Sequence, residues 1–170
     1  MRSFLMLATV CLVTFTACAQ NDKSKRPSPP ATATGSTASG TTITINYSQP
    51  SLKGRTIGKD VEPMAGKVWR TGANEATVFG VNKDVKVEGK ELKAGKYGLY
   101  SIANGDSWTI IFNKTWNQWG TEYKEADDAL RVNVKATKAP STTEKFTITV
   151  SKNGKVDLLW GDKDVAFTVQ

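Results

Sequence analysis

The sequence predicts an all-β protein, either an antiparallel β-sandwich or a partly open barrel of about 8–10 short strands. Three observations lead to this fold class. Apolar and polar residues alternate in several segments, tight-turn signals separate those segments, and no long segment repeats its apolar residues with helical spacing. At most one short helix is expected, in the weakly patterned residues 123–129.

The predicted strands begin with residues 42–47, where Ile43, Ile45 and Tyr47 alternate with polar residues. The same period of two returns in residues 108–112, 130–134, 146–150, 156–160 and 165–169. Because these segments are rich in β-branched and aromatic residues, they favour strands with one buried face.

Asn-Gly pairs mark two of the expected hairpin turns. Asn104-Gly105 is expected to join a strand containing residues 97–102 to the strand at 108–112, and Asn153-Gly154 to join the strands at 146–150 and 156–160. Both residue types tolerate the positive φ that a tight hairpin turn requires.

The first 19 residues have the pattern of a secretory signal peptide. Arg2 precedes the apolar residues 4–17, which are too few for a typical membrane-spanning helix. Residues 17–19 (Ala-Cys-Ala) fit ordinary signal peptidase, whereas residues 15–18 resemble a bacterial lipobox with Cys18 as the lipidation candidate. We favour the lipoprotein interpretation, which predicts an exported protein of the periplasm or outer envelope, tethered to a membrane.

Residues 20–40 are rich in Ser, Thr, Ala, Pro and Gly and show no apolar periodicity. This composition predicts a disordered linker, because too little apolar surface is available to offset the entropy of ordering. The expected organisation is therefore a signal peptide (1–19), a linker (20–40) and a single β-sandwich domain (41–170).

Composition excludes several classes of function. The sequence has no histidine, and its two cysteines, Cys11 and Cys18, lie at or before the predicted processing site. Histidine-based catalysis and a zinc site are therefore not expected, and no metal or cofactor is predicted. The net charge of +7 is scattered rather than gathered in a stripe, so a nucleic-acid partner is not expected either.

The segment 67–77, KVWRTGANEAT, has the composition of a site rather than of a strand or helix. Arg70, Asn74 and Glu75 surround Gly72, a residue that permits a tight turn. One interpretation is a ligand site that uses Arg70 and Asn74. The other is a structural network in which Arg70 pairs with Glu75 and Asn74 caps the turn.

A second unusual segment follows a predicted strand and contains Trp116 and Trp119 separated by two amide residues. Flat apolar rings beside hydrogen-bonding groups are typical of sites for sugars and aromatic ligands. The alternative is that the rings close one end of the sandwich, and we expect one ring in the core and the other partly accessible. Arg70 and Asn74 are predicted to lie within reach of this loop and to share a concavity with it.

At these motifs the chain resembles a bacterial secreted family known as domain of unknown function 2911. The matching segments are YSQPSLKGR (47–55), VWRTGANEAT (68–77), AGKYGLYSI (94–102), WTIIFNKTWNQWG (108–120) and ALRV (129–132). The resemblance implies export and a single domain, often lipid-anchored, and it carries no established activity. It directs attention to Arg55, Trp69, Arg70, Asn74, Glu75, Asn113 and Trp119.

Together these features predict an exported envelope module that binds a small molecule or a glycan. The ligand-binding candidates are Arg55, Trp69, Arg70, Asn74, Glu75, Asn113, Trp116 and Trp119. Two alternatives are kept open: a structural or protein-interaction module, and a carboxylate-dependent hydrolase using Glu75 with an acid from residues 122–128.

Overall fold

A computed structural model describes residues 22–170. This part of the chain is almost entirely β-structure and contains no α-helix, which confirms the predicted fold class. The ten strands are β1 (Pro30–Ser36), β2 (Thr42–Ser48), β3 (Val68–Trp69), β4 (Thr77–Val81), β5 (Val85–Val87), β6 (Lys90–Leu92), β7 (Gly95–Asn104), β8 (Ser107–Asn113), β9 (Asp128–Val150) and β10 (Lys155–Thr168). Two single 3₁₀ turns occur, at Lys23–Lys25 and Glu125–Asp127.

The main sheet is antiparallel and has the strand order β1-β2-β4-β7-β8-β9-β10, with β3 paired to β7. It curls into a half-barrel, so the partly open barrel is the form that the chain adopts. Strands β5 and β6 form a second, small sheet. Reciprocal backbone hydrogen bonds of 2.7 and 2.8 Å join Lys86 of β5 to Gln170, the residue that ends the chain.

The period of two determines which side chains fill the core. In β8, Trp108, Ile110 and Phe112 enter the large core, whereas Ile111 points to the opposite face. There Ile111 joins Tyr100 and Ala76 in a smaller cluster. Sheet burial on both faces at this position explains why β8 reads as a nearly continuous apolar run.

Both predicted Asn-Gly hairpins are present. Asn104 pairs with Ser107 across the β7–β8 turn, and Gly154 has a φ of 80° in the β9–β10 turn. The predicted strands at 130–134 and 146–150 are two ends of the single strand β9. Similarly, the segments at 156–160 and 165–169 are largely contained in β10, which is irregular on either side of Gly161.

The expected short helix at 123–129 is reduced to the 3₁₀ turn Glu125–Asp127. The prediction of a disordered linker through residue 40 is wrong for Pro30–Ser36, which form β1 and pair along their whole length with β2. Ala31, Ala33 and Gly35 alternate with threonines there, so the inward residues are small. A Cβ at Gly35 would lie 2.5 Å from Val150 Cγ1, which explains why this strand lacks the usual large apolar residues.

The predicted signal peptide and Cys18 lie outside the described residues. Within residues 22–170, no helix has the length and hydropathy needed to cross a membrane.

Candidate functional site

The arginine loop, residues 70–76, follows the short strand β3 and folds back on itself. The indole Nε1 of buried Trp69 donates to the Gly72 carbonyl over 3.0 Å, which holds the loop against the core. A Cβ at Gly72 would lie 2.9 Å from Thr77 Oγ1, so a larger residue does not fit there. Thr71 and Asn74 both adopt positive φ, 48° and 61°. Such strained residues concentrate at functional sites, and the strain here lies in the segment that the sequence singles out.

The arginine loop is paired with the tryptophan loop, residues 114–124. The Ala76 amide donates to the Gln118 carbonyl over 3.1 Å, and the Gly120 amide donates to the Asn74 carbonyl over 3.1 Å. Between these bonds Glu75 and Trp119 form an isolated β-bridge. The prediction that the two motifs lie together is therefore confirmed by their backbone hydrogen bonds.

Two adjoining depressions lie beside the paired loops, and we call them together the arginine groove. They have volumes of about 310 and 190 Å³ and share Glu62, Trp69 and Arg70. The larger is also lined by Val68, Gly120, Thr121 and Tyr123, and the smaller by Ser28, Pro50, Arg55, Val61, Gly72 and Ala73. The larger volume is at the lower end of the range for small-ligand sites, about 300–1,000 Å³.

Arg70 lies where the two depressions meet, and its side chain is held by packing rather than by an ion pair. A Cβ at Gly120 would overlap Arg70 Cδ, so the missing side chain of Gly120 creates the space for the arginine stem. The Nε atom of Arg70 is buried and has no hydrogen-bond partner. Within residues 22–170, no carboxylate lies within ion-pair distance of the guanidinium.

The alternative interpretation of the loop, in which Arg70 pairs with Glu75, is wrong, because Glu75 is bound by the N-terminal segment, residues 22–29. Arg26 donates to both Glu75 carboxylate oxygens over 2.9 Å, and Lys23 lies 3.0 Å from one of them. Burial raises the pKa of Glu75, but hydrogen bonds from Arg26, its own backbone and Lys23 outweigh burial and lower the pKa to about 2. Asn74 also binds the N-terminal segment, because its Nδ2 donates to the Ser28 carbonyl over 3.0 Å.

Asn113 is buried and fixes the ends of the tryptophan loop. Its Nδ2 donates to the Lys124 carbonyl over 2.9 Å and to Asp128 Oδ1 over 2.8 Å, while its Oδ1 accepts the Thr115 amide. These bonds account for every group of the Asn113 side chain except one lone pair. The residue thus positions the loop and has no free donor for a ligand.

We expected one tryptophan ring in the core and the other partly accessible, but neither Trp116 nor Trp119 lies in the core. Trp116 is partly buried, with the Lys96 ammonium 4.9 Å from its ring centre. Trp119 is 47% exposed, next to Gly120 of the groove wall. The core position at this end of the sheet is instead occupied by Trp69, whose ring meets Phe146 at 4.9 Å.

Arg55 is exposed and is oriented by backbone carbonyls alone. Its Nε donates to Leu52 over 3.0 Å and its Nη2 to Ser51 over 2.6 Å. Of the eight sequence candidates, Arg55, Trp69 and Arg70 line the groove. The other five candidates do not line it: Asn74, Glu75, Asn113, Trp116 and Trp119. The concavity predicted for Arg70 and Asn74 therefore includes Arg70 only.

Sequence reasoning missed Glu62 and Tyr123 as groove residues and Arg26 as the partner of Glu75. Tyr123 presents its ring to the groove, while its hydroxyl donates to Asp128 over 2.8 Å and accepts from Arg131 over 2.7 Å. Burial, together with the hydrogen bond to Asp128, raises the pKa of Tyr123 to about 12. The basic cluster at residues 23–26 was the available signal for the Glu75 partner, but nothing local connects it to a residue so distant in sequence.

Two of the carboxylates considered for a hydrolase, Glu75 and Asp128, are held in ion pairs. Glu75 has too low a pKa to donate a proton near neutral pH. Asp128 is bound by Arg131, Tyr123 and Asn113. Among the described residues, no group of three or more acidic or thiol side chains is placed to hold a metal ion.

Fold and site together define a small all-β half-barrel that carries a loop-borne groove with an unpaired arginine. The chain belongs to the family described as protein of unknown function (DUF2911), which it matches over residues 28–169. The match begins two residues before β1, in agreement with the strand found in the predicted linker. No curated protein and no solved structure matches the chain.

Proposed function

We propose that this protein is an exported, lipid-anchored module of the cell envelope that binds a small molecule or a glycan end group in the arginine groove. The observation that carries the proposal is that Arg70 is held in place at the groove without an ion-pair partner among residues 22–170. Its stem is fixed against Gly120, its Nε is buried without a partner, and it lies between two depressions. The buried, unpaired Nε costs about 1–3 kcal/mol, and the terminal nitrogens of the same guanidinium, which are not buried, are available to an acceptor on a ligand.

Two further features support binding at this place. The site is built from loops carried by a rigid sheet, as binding sites commonly are. Both loops are fixed by other parts of the chain, the arginine loop by the N-terminal segment and the tryptophan loop by Asn113. A groove with fixed walls loses little entropy when it takes up a ligand.

The glycan form of the proposal rests on Trp119. Its ring is 47% exposed and belongs to the residue before Gly120, although the ring itself is not part of the groove wall. Export and anchoring rest on the signal-like residues 4–17 and on Cys18.

A binding screen tests the proposal. The purified protein is screened against metabolites and glycans by thermal shift, and hits are repeated with Arg70→Met and Trp119→Ala. Loss of binding only in Arg70→Met supports the groove, and loss in Trp119→Ala as well supports a glycan. Lys152→Met, in the remote and exposed β9–β10 turn, serves as the control. Hits that are insensitive to both groove substitutions would refute the assignment.

Anchoring is tested separately. Cys18→Ser is expected to move the protein from the membrane fraction to the soluble fraction. An unchanged membrane fraction would refute the lipid anchor without bearing on the groove.

A further inference from the structure

The arginine groove carries more positive than negative charge, because two arginines and one glutamate line it. Arg55 and Arg70 both line it, and within the described residues neither lies within ion-pair distance of a carboxylate. The one acidic residue in the wall is Glu62, and its Oε2 is engaged by the Met64 amide over 2.6 Å. Arg26 and Arg131, in contrast, are held in ion pairs, Arg26 with Glu75 and Arg131 with Asp128 and Glu125.

The two arginines are placed rather than free. Arg55 is oriented by the carbonyls of Ser51 and Leu52, and these contacts use donors without cancelling the charge. Arg70 is held through its stem at Gly120, and its Nε hydrogen has no acceptor. The buried Nε is out of reach of a ligand, whereas the two terminal nitrogens of the planar guanidinium are not buried and together suit a carboxylate or phosphate.

The remaining wall of the larger depression is apolar or aromatic. Val68 is 37% exposed there although it belongs to a strand, and Trp69 and Tyr123 lie beside it. The Tyr123 hydroxyl is already bonded to Asp128 and Arg131, so the tyrosine offers its ring. Such a wall suits an apolar body attached to the charged group.

Resting on the proposed function, we propose that the ligand of the arginine groove is a small molecule carrying a carboxylate or phosphate group on an apolar body. The oxyanion pairs with Arg70 through its two terminal nitrogens, and Arg55 adds a second positive charge in the smaller depression. The apolar body lies against Val68, Trp69 and Tyr123.

Three matched probes test this inference on the purified protein: benzoate, phenyl phosphate and the neutral benzyl alcohol. Binding is followed by NMR at constant ionic strength, through the Arg70 Nε–H signal and the amides of Gly120 and Thr121. Benzoate or phenyl phosphate is expected to shift these signals at least tenfold more strongly than benzyl alcohol. The stronger of the two anions identifies the oxyanion that the groove prefers.

Variants distinguish a specific pair from general charge attraction. Arg70→Met should weaken anion binding at least tenfold, Arg70→Lys less than that because the charge is kept, and Lys152→Met should leave binding unchanged. Equal binding of benzyl alcohol and benzoate, or no binding of either anion, would overturn the oxyanion assignment. A neutral hit from the ligand screen that requires Arg70 would then still support the proposed function, whereas the absence of any such hit would refute both.

Discussion

Replacing Arg70 by methionine is expected to stabilise the protein although it removes the central residue of the groove. Methionine keeps the buried stem, and its Cε takes the place of the unpaired Nε. An unsatisfied buried donor costs about 1–3 kcal/mol, and part of this is offset by contacts that the guanidinium makes at the groove wall. We therefore expect a net gain of about 1 kcal/mol in the free energy of unfolding.

For a protein of this size, a gain of 1 kcal/mol corresponds to a rise in Tm of roughly 2–4 °C. Urea denaturation followed by tryptophan fluorescence measures the free energy, and calorimetry measures the Tm. A stability gain accompanied by a loss of binding is the behaviour expected of a residue kept for function.

The matched control is Arg131→Met, in which an arginine that does have partners is changed in the same way. Arg131 bonds to Asp128 and Tyr123 over 2.7 Å, and the Asp128 side chain is only 11% exposed. Leaving Asp128 without its partner should cost about 2 kcal/mol, less than the 3–5 of a fully buried pair because Arg131 is partly exposed. A loss above about 1 kcal/mol in Arg70→Met would refute the reasoning, because it would mean that Arg70 has a structural role.

Three further outcomes are expected. The two that concern carboxylates are measured by calorimetry between pH 2 and 7, and the third is measured by stability and ligand binding. Because the pKa of Glu75 is lowered to about 2, its contribution is complete above pH 4.5 and is lost as the pH falls towards 2. Glu75→Gln should remove this acid-side loss and cost about 1 kcal/mol at neutral pH, a value reduced by solvent screening of the pair with Arg26. Burial, and after it the charge of Asp157, raises the pKa of Asp164. Ionisation of Asp164 therefore lowers the stability of the protein as the pH rises above 3.8. The substitution Asp164→Asn should raise the Tm at pH 7 but not at pH 3. Gly120→Ala should lower stability by about 1–3 kcal/mol and weaken ligand binding, because the new methyl group overlaps the neighbouring arginine stem.

Each of these outcomes has a result that would contradict it. Glu91→Gln, at an exposed position of β6, is the control for loss of a carboxylate. An acid limb equally steep in wild type and Glu75→Gln would exclude the Arg26 contact as its cause. Equal Tm values at pH 7 for wild type and Asp164→Asn would mean that ionisation of this carboxyl does not destabilise the folded protein. Normal binding by Gly120→Ala would show that the arginine stem can move aside.

The predicted proximity of residues 67–77 to the tryptophan loop is confirmed, whereas the alternative structural network, in which Arg70 pairs with Glu75, is wrong. Backbone pairing with residues 118–120 places the two motifs together, as predicted. Glu75, however, takes its partner from residues 23–26, across the edge of the sheet. The sequence does not indicate which arginine or lysine of the chain pairs with a given glutamate. The partner is determined by the path of the backbone, which decides which cation lies next to the carboxylate.

The error at Pro30–Ser36 has a different physical cause. Strand prediction depends on large β-branched and aromatic residues, because these fill a half-buried face. In β1 the inward positions are Ala31, Ala33 and Gly35, which match the close approach of β9 at Val150. Alternation of small residues with threonine was present as a signal, but composition alone suggested disorder.

By itself the sequence determined the fold class, the hairpins at Asn104-Gly105 and Asn153-Gly154, and the buried face of the strands with alternating large apolar residues. These depend on local physics, namely the period of the side chains along a strand and the φ values that Asn and Gly tolerate. Only the tertiary structure decided that Arg70 lacks a partner, that Glu75 has two, and that Gly120 makes room for the arginine stem. Those facts depend on which distant segments the curled sheet brings into contact, and no pattern within a few residues contains that information.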